Sequence, residues 1–291
     1  EIKLLETIFI NEPDDERKIS SEIKNLKKIE DNVSIEVRKQ YEENPYPRWV
    51  NLGLRIQPKS ISAYAKELKL KIFDESIYKV SKPKILIAGC GTGQNSIGTA
   101  SIFSNCNVLA IDLSLKSLSY AKRKTKELKI SNIKYMQADI LDIELINQKF
   151  DIIESSGVLH HMKNPLAGWK VLANCLKPTG LMRIALYSKT ARRNIIKTRD
   201  EIKKLEIGHK DKDLKIFRNK IIKSEKEQDK QHTSSLDFYS LSSFRDLLFH
   251  TNEHQFTISQ INKCLFELGL KFCGFDNKKA IQTFKLVHRG L

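Results

Sequence analysis

The run Ile85-Leu86-Ile87-Ala88-Gly89-Cys90-Gly91-Thr92-Gly93-Gln94 decides the fold of this chain. Its first four residues are apolar without interruption, which is typical of a parallel strand that is buried on both faces. Glycines then occupy every second position, and a helix is predicted to begin near Gln94. At such a strand–turn–helix junction, backbone N–H groups can approach a bound molecule closely. The run therefore predicts a binding site for a nucleotide-like cofactor.

The segments around this run alternate between strand-like and helical patterns. Apolar strand-like runs occupy residues 85–88, 108–111, 133–136, 150–154 and 181–187, and helical patterns lie between them at residues 94–104, 115–128, 141–147 and 165–175. Such alternation predicts βαβ units and an α/β fold with a doubly wound, mostly parallel sheet. We expect a helix at 259–268 and two last strands, Lys271–Phe275 and Gln282–Val287, to complete the fold.

The composition limits the class of protein. The 291 residues carry a formal net charge of +16, but the lysines are dispersed, so we assign most of this charge to solvated surface and do not favour nucleic acid as a partner. Five cysteines without a CxxC pair predict reduced thiols in a cytoplasmic protein, with neither a disulfide framework nor a zinc site. No apolar stretch approaches the roughly 18 residues that a membrane span requires.

The chain is predicted to consist of one domain and a preceding remnant. We expect residues 1–30 to be a helical or linker remnant of an upstream region and residues 31–291 to form the domain. Within it, residues 31–80 form an N-terminal cap with a rigid Tyr46-Pro47-Arg48-Trp49 connector, and residues 188–256 form a helical insertion. Residues 191–231 hold fourteen Lys and Arg against eight acidic residues. This excess indicates either a solvated helical arm or a docking site for an acidic macromolecule.

Acidic and small residues follow the later strands in register with the glycine turn. Asp112 ends the second strand about 20 residues beyond the turn, where a carboxylate can accept both hydroxyls of a ribose. Asp139 follows the third strand and is placed to accept a hydrogen bond from an adenine amino group. The fourth strand ends in the small residues 155–157, which let a ligand touch the backbone. A dinucleotide site is disfavoured because the third glycine of its fingerprint is absent.

From the glycine turn to the Leu176-Lys177-Pro178-Thr179-Gly180 turn, about residues 80–190, the chain resembles the class I S-adenosylmethionine (SAM)-dependent methyltransferases. The resemblance implies a seven-stranded sheet in which only the last strand is antiparallel, SAM across the C-terminal strand ends, and S-adenosyl-L-homocysteine as product. It implies that Asp112 binds the ribose, that Asp139 binds the adenine amino group, and that Leu113 and Ile140 sandwich the adenine. The other implied cofactor-binding residues are Ser155 and Gly157 at the methyl-donor mouth and Gly89, Cys90, Gly91, Thr92, Gly93 and Gln94 around the amino-acid portion.

A narrower likeness concerns the connector and residues 237–250. These segments resemble bacterial methyltransferases that carry tetratricopeptide repeats before the catalytic domain, which implies an upstream repeat domain that this chain lacks; a start at Glu1 without methionine agrees with that. Because repeat arrays present concave protein-binding surfaces, we favour a protein side chain as the methyl acceptor. A small-molecule or cofactor acceptor, a non-catalytic SAM-binding module and an RNA-binding module remain alternatives.

Three residues are candidates for catalysis. His160 and His161 follow the fourth strand, where an imidazole could act as a general base or only shape the pocket. Tyr46 is the third candidate, and Arg48 is predicted to bind the SAM carboxylate through its planar guanidinium. Methyl transfer depends largely on proximity and orientation, so many such enzymes need no strong base. The string 250–254 matches a metalloprotease pattern, but we interpret it as chance or as part of a substrate lid and expect no metal site.

Overall fold

Six parallel strands form one sheet at the centre of the protein. The computed structural model describes residues 2–54 and 57–276. The strands lie in the order β1-β4-β3-β2-β5-β6, and each neighbouring pair is parallel. Their bounds are β1 Lys24–Asn25, β2 Lys84–Ala88, β3 Asn107–Asp112, β4 Ile133–Gln137, β5 Phe150–Ser156 and β6 Leu176–Ala185. This arrangement confirms the predicted doubly wound α/β fold.

Helices cover the sheet and form the cap and the insertion. Ser114 and Ser60 begin two of them, because each side chain accepts a hydrogen bond from a backbone N–H three residues later. The α-helices are α1 Ile2–Glu6, α2 Glu12–Glu22, α3 Asn32–Glu43, α4 Ile61–Leu68, α5 Gln94–Ile102, α6 Leu115–Glu127, α7 Pro165–Cys175, α8 Arg193–Lys204, α9 Asp211–Ile222, α10 Glu227–Thr233, α11 Leu241–Phe249 and α12 Ile258–Glu267. A π-helical turn spans Thr7–Asn11, and short 3-10 helices span Glu75–Lys79, Ile140–Ile146, Leu159–His161 and Leu236–Phe238.

The apolar run of β2 is buried on both faces of the sheet. Ile85 and Ile87 belong to a core cluster on one face, and Leu86 and Ala88 belong to a cluster on the other. All four side chains are almost fully buried. Successive side chains of a strand point to opposite faces, so an unbroken apolar run is what a doubly covered strand requires. Burial of each large aliphatic side chain contributes about 1.5–3 kcal/mol.

The N-terminal segment differs from the expected separate remnant. α2 packs on α6, where Arg123 forms ion pairs with Glu12 and Glu16. Ile19 and Ile23 belong to the core cluster of the domain, and β1 extends the sheet beyond β4. This segment is therefore an integral part of the fold. The sequence did not predict this, because the few apolar residues that anchor the segment, such as Ile19 and Ile23, lie among many charged ones.

The C-terminal prediction is corrected in part. Residues 271–275, expected to be a strand, have no regular secondary structure, and the expected strand Gln282–Val287 lies outside the described residues. The sixth strand of the described sheet is instead the short β1, which no pattern in the sequence predicts. Helix α12 occupies nearly the predicted range and begins at Thr257, whose side chain and that of Gln260 form a reciprocal cap.

Helices α8 to α11 form the greater part of residues 188–256 and enclose an apolar core of their own. Phe238 and Phe244 are fully buried in it, with Leu214 and Leu248 around them. Residue Ser188 pairs with Phe256 in a short bridge, so both ends of the insertion leave the domain at one place. All five cysteines are free thiols. In the part of the chain that the structure describes, none of the helices has the length and apolarity needed to cross a bilayer.

Candidate functional site

A cavity of about 270 Å³ lies at the carboxyl ends of the central strands. Open α/β sheets bind ligands at this edge. Two groups of residues line the cavity. The glycine-turn half includes Gly89, Cys90, Gly91, Gln94, Asp112, Leu113, Asp139, Ile140 and Gly157, and the insertion half includes Tyr41, Tyr46, His161, Tyr187 and Asp246. All nine named residues of the first group were predicted cofactor-binding residues, whereas only Tyr46 and His161 of the second were predicted as site residues.

The glycine turn folds back onto the end of β3. The N–H groups of Gly89 and Cys90 both donate to the carbonyl of Ile111, each at 2.9 Å. Gly91 has a φ of +51°, which favours glycine, and a Cβ built there would lie 2.9 Å from the Tyr46 carbonyl oxygen. A side chain at this position would therefore strain the turn and also push away the connector.

Asp112 is a half-buried carboxylate that organises the turn and faces the cavity. Its two oxygens accept backbone N–H groups, one from Gly91 at 2.8 Å and one from Ser114 at 2.9 Å. Burial raises the pKa of Asp112 to about 6, although these hydrogen bonds oppose the shift. Each carboxylate oxygen has two acceptor positions, so the group can still accept hydroxyls of a ligand. The position and chemistry fit a ribose.

The wall beyond Asp112 combines one carboxylate with apolar side chains. Asp139 accepts a hydrogen bond from the Leu141 N–H at 3.0 Å, and burial raises its pKa. Leu113, which follows Asp112, and Ile140, which follows Asp139, line the cavity here. Helix α3 adds Val33 and Val37. Such a combination fits a flat heterocycle with an exocyclic amino group. The contribution of α3 was not foreseen, although its apolar spacing of four residues was a visible signal.

The connector is held against the glycine turn by hydrogen bonds. Trp49 is buried and donates from Nε1 to the Thr92 carbonyl at 3.1 Å, while the Thr92 hydroxyl donates to the Pro47 carbonyl. Thr92 therefore holds the connector and does not line the cavity. Arg48 also lies outside the cavity, with its guanidinium carbon 5.6 Å from the centre of the Tyr120 ring. The expected ligand roles of Thr92 and Arg48 do not agree with these positions, because docking of Trp49 fixes which way each side chain points.

Two other expected ligand residues also lie outside the lining. A Cβ on Gly93 would lie 2.6 Å from the Cβ of Ala121, so this glycine serves close packing of the turn on α6. Ser155 is buried, and its hydroxyl has no hydrogen-bond partner among the described residues. The next residue, Ser156, lines the cavity in its place. The alternation of side chains along β5 explains the difference of one residue.

The insertion half of the cavity contains paired tyrosines and carboxylates. The Tyr41 hydroxyl donates to Asp246 Oδ1 at 2.7 Å, and the Tyr46 hydroxyl donates to Asp237 Oδ1 at 3.1 Å. Burial raises the pKa of Asp246 to about 6, although the hydrogen bond from Tyr41 opposes the shift. Burial also raises the pKa of Tyr187 to about 12. This half of the cavity therefore holds an acidic group among aromatic rings.

His161, and not His160, reaches the cavity. Its Nδ1 lies 2.7 Å from the carbonyl oxygen of Asn252, so Nδ1 carries the proton and Nε2 keeps its lone pair. Burial lowers the pKa of His161 to about 4, so the ring is neutral at pH 7. His160 stacks on Tyr187 with ring centroids 3.8 Å apart, and neither of its ring nitrogens has a hydrogen-bond partner in the described chain. Of the two histidines, only His161 is placed to exchange a proton with a ligand.

His161, Asp246 and His250 bring three metal-ligand atoms within 4.8 Å of one another. The two imidazoles stack, with centroids 3.5 Å apart and planes at 17°. One ion cannot lie in the plane of two rings stacked in this way. Moreover, Nδ1 of His250 accepts the Asn252 N–H at 3.2 Å, which leaves the proton of a neutral ring on Nε2. The geometry therefore favours a proton-exchanging cluster over a metal centre.

None of the residues of the metalloprotease-like string 250–254 is helical. His250 follows the last residue of α11 in an extended conformation, and residues 251–255 form a loop. Glu253, the residue that a metalloprotease would use as a base, instead forms ion pairs with Arg192 and Arg199. The His254 N–H donates to the His160 carbonyl at 2.7 Å. The string therefore ties the insertion to the end of β5.

Comparison with known proteins identifies the family. A family model described as a methyltransferase domain matches residues 79–237. The chain belongs to this methyltransferase family. It is a class I SAM-dependent methyltransferase domain, and SAM is its cofactor.

Relatives of this methyltransferase are found in bacteria and plants. An uncharacterized protein of a Synechococcus strain is 26% identical over 217 residues, which are 72% of this chain and 52% of that protein. The (S)-coclaurine N-methyltransferase of Papaver somniferum is 33% identical over 98 residues, which are 34% of this chain and 28% of that enzyme. The methyltransferase thus spans about half of the first relative and less of the second.

A solved structure shares the fold. PKMT2 from Rickettsia typhi superposes with a TM-score of 0.57 at 19% sequence identity, over 84% of this chain and 50% of that chain. The same protein in complex with AdoHcy gives a TM-score of 0.55. The two proteins therefore share a fold over most of the present chain.

Proposed function

We propose that the methyltransferase binds SAM in the glycine-turn half of the cavity and the methyl acceptor in the insertion half. The observation that carries this proposal is that both halves line one cavity. When bound, SAM supplies an electrophilic methyl group on a sulfonium. Asp112 would accept the ribose hydroxyls and Asp139 the adenine amino group, with the adenine between Leu113 and Ile140. The protein contributes mainly by holding acceptor and donor in line, away from water.

Gly157 fits the position between the two halves. Its φ is +77°, and a Cβ built on it would meet nothing within 4 Å, so its backbone borders open space in the cavity. Val158 follows and fills the space above Gly89, where a Cβ would lie 2.2 Å from a Val158 methyl carbon. The backbone of Gly157 would therefore border the transferred methyl group, as the sequence predicted.

We favour a polypeptide side chain as the acceptor. Exposed apolar side chains follow or precede, within three residues in the sequence, the residues that join the connector to the insertion. Leu236 is 90% exposed next to Asp237, Val50 is 79% exposed three residues after Pro47, and Tyr239 is 60% exposed. Asp237 and the connector are joined through the Tyr46 hydrogen bond. These side chains give a polypeptide an apolar ledge next to the cavity, which a small ligand would not need.

A small-molecule acceptor is the second candidate. Side chains of the cap, the sheet and the insertion together form a concave site, as small-ligand sites are. The relatives also include an enzyme named for a small-molecule acceptor, (S)-coclaurine, and one named for a protein acceptor, the release factor glutamine methyltransferase of Flavobacterium psychrophilum. Both acceptor classes therefore occur among similar domains.

Labelling with methyl-tritiated SAM tests both candidates. The purified protein is incubated with a cell lysate, which is then separated into protein, RNA and small-molecule fractions. Label on protein supports the favoured proposal, and label in the small-molecule fraction supports the second. Label on RNA, or no binding of SAM in calorimetry, contradicts both.

A matched pair of variants controls this experiment. Asp112→Asn should strongly reduce labelling because it replaces one carboxylate oxygen by an NH2 group, which cannot accept a ribose hydroxyl and would face a backbone N–H of Gly91 or Ser114. Asp151→Asn should not, although Asp151 is a buried carboxylate that also accepts a backbone N–H, from Lys84 at 2.9 Å. Asp151 lies at the opposite end of the strands from the cavity. Equal loss in both variants would mean that the loss reflects folding and not cofactor binding.

A further inference from the structure

Asp246 is a buried carboxylate of the cavity without a cationic partner. It is 5% exposed, on α11, and its Oδ1 accepts the hydroxyl of Tyr41. The positive charge of Arg192 acts on Asp246, but Arg192 and Arg199 form their ion pairs with Glu253. The neighbouring Arg245 forms its ion pairs with Glu43 and Asp211. Within residues 2–54 and 57–276, no Lys or Arg forms an ion pair with Asp246. A buried charge without a partner is costly, so a cationic ligand would be favoured here.

The carboxylate of Asp112 differs from that of Asp246 in its hydrogen bonds. Both of its oxygens already accept backbone N–H groups, and its role in the glycine turn accounts for its burial. The Tyr41 hydroxyl satisfies only one oxygen of Asp246. Aromatic rings of Tyr41, Tyr46 and Tyr187 line the same half of the cavity. Rings around a carboxylate suit an organic cation, because ring faces attract positive charge.

We propose that the insertion half of the cavity binds the acceptor as an ammonium group, with Asp246 as its counter-ion and His161 as the relay through which the proton that must leave it passes to water. This inference rests on the proposed function, since it names the substrate class of the same site. A carboxylate acceptor would be repelled by Asp246. A neutral alcohol would leave the charge of Asp246 without a counter-ion.

The chemical step balances within these groups. The ammonium nitrogen loses one proton, which passes by way of Nε2 of His161 to water, and becomes a neutral amine; His161 relays this proton and does not keep it, because burial lowers its pKa to about 4. The lone pair of the amine then forms a bond to the methyl carbon, while the bond between that carbon and sulfur breaks and sulfur keeps the electron pair. The positive charge passes from sulfur to nitrogen. Asn252 is a positioning residue, because its carbonyl holds the proton on Nδ1 and leaves Nε2 free.

Several titratable or charged groups act on this site. The aromatic groups are Tyr41 of α3, Tyr46 of the connector and Tyr187 after β6, and the acidic groups are Asp237 and Glu253 of the insertion. The basic groups are Arg192, at the start of α8, and the imidazoles His161 and His250, after β5 and α11. A pH profile alone would therefore not identify Asp246, and the decisive test uses ligand charge.

The test measures binding of n-butylamine to the protein saturated with S-adenosylhomocysteine, with 1-butanol and butyrate as probes of matched length. We expect the amine, which is protonated at pH 8, to bind at least about tenfold more tightly than the alcohol, as for hydrogen bonds to a charged group. Asp246→Asn should remove this preference. Asp229→Asn, which removes a buried carboxylate of α10 outside the cavity, should keep it. Equal binding of amine and alcohol by the unaltered protein would overturn the inference without any variant.

A second readout separates this inference from the proposed function. Methyl label transferred to an amine resists mild alkali, whereas a methyl ester releases it as methanol. Alkali-stable label on an amino group supports the inference. Label on oxygen or carbon contradicts it and leaves SAM-dependent transfer intact, whereas a protein that binds no S-adenosylhomocysteine contradicts the proposed function itself. His161→Gln should lower kcat more than it changes KM and should shift the dependence of kcat on pH upward.

Discussion

Acidification should destabilise the folded methyltransferase through its buried histidines, and His250→Gln should remove a defined share of that loss. Burial lowers the pKa of His160 and His250 to about 2 and that of His161 to about 4. A histidine in the unfolded chain has a pKa of about 6.5. As the pH falls through this value, the unfolded chain takes up protons that the folded protein does not. Stability is therefore present above pH 6.5 and is lost below it.

The magnitude follows from the difference in proton uptake. Between pH 7.0 and 5.5, each histidine that stays neutral in the folded state lowers the free energy of unfolding of the protein by about 1.3 kcal/mol. Three such residues lower it by about 4 kcal/mol. Asp112 and Asp246 act in the opposite direction, because burial raises the pKa of each to about 6. On acidification they become protonated in the folded protein at a higher pH than in the unfolded chain. Each therefore offsets about 0.8 kcal/mol of the loss in the free energy of unfolding over the same interval.

Urea unfolding at pH 7.0 and pH 5.5 measures the effect. The carboxyl contribution is common to the unaltered protein and the His250→Gln variant, so the difference between their losses isolates His250. Glutamine can still accept the Asn252 N–H, which keeps the local hydrogen bond. We expect the variant to lose about 1.3 kcal/mol less than the unaltered protein on acidification. Equal losses in the two proteins would refute the assignment of His250 as a buried neutral imidazole.

Three further predictions concern the cofactor half and the cluster. Arg48→Ala should change the affinity for S-adenosylhomocysteine less than twofold in calorimetry, because Arg48 lies over Tyr120; a large loss would restore its predicted role as a SAM ligand. Gly91→Ala should destabilise the protein by about 1–3 kcal/mol in urea unfolding, because it combines a positive φ with a close approach of the Tyr46 carbonyl. Gly98→Ala in α5, where a Cβ meets nothing within 4 Å, should be neutral or stabilising by up to about 1 kcal/mol. EDTA should leave methyl transfer unchanged, and loss of activity with rescue by Zn²⁺ would show that the stacked histidines rearrange around an ion.

The sheet was predictable because its signals are local. The apolar run before Gly89 and the acidic residues after β3 and β4 lie within a few residues of the elements that they mark. β1 was not predictable, since two residues of a charged segment carry no pattern and pair only because α2 docks on α6. Side-chain direction was equally beyond the sequence. Thr92 and Ser155 have suitable chemistry, but the hydrogen bond to the connector turns Thr92 away from the cavity and the register of β5 turns Ser155 away.

The insertion half of the cavity could not be predicted from the sequence for a different reason. Asp246 lies about 90 residues after the end of β5 in a helix with no motif, and only the folding of the insertion brings it to the cavity. The same segment of the chain supplies the counter-ion Asp246, the stacking partner of His161 and the carbonyl of Asn252 that fixes its tautomer. Acceptor binding and proton relay therefore depend on one short segment, from residue 246 to residue 252.

The cofactor half is held by a separate set of contacts. The turn is fixed by Asp112 and by the connector through Thr92 and Trp49, and none of these bonds involves the insertion. Changes between residues 246 and 252 can therefore alter which acceptor is methylated while the SAM-binding residues stay in place. Tyr46 contacts both halves, because its carbonyl closes over Gly91 and its hydroxyl binds Asp237. Occupancy of one half would therefore be transmitted to the other through Tyr46 and through α3, whose Tyr41 binds Asp246.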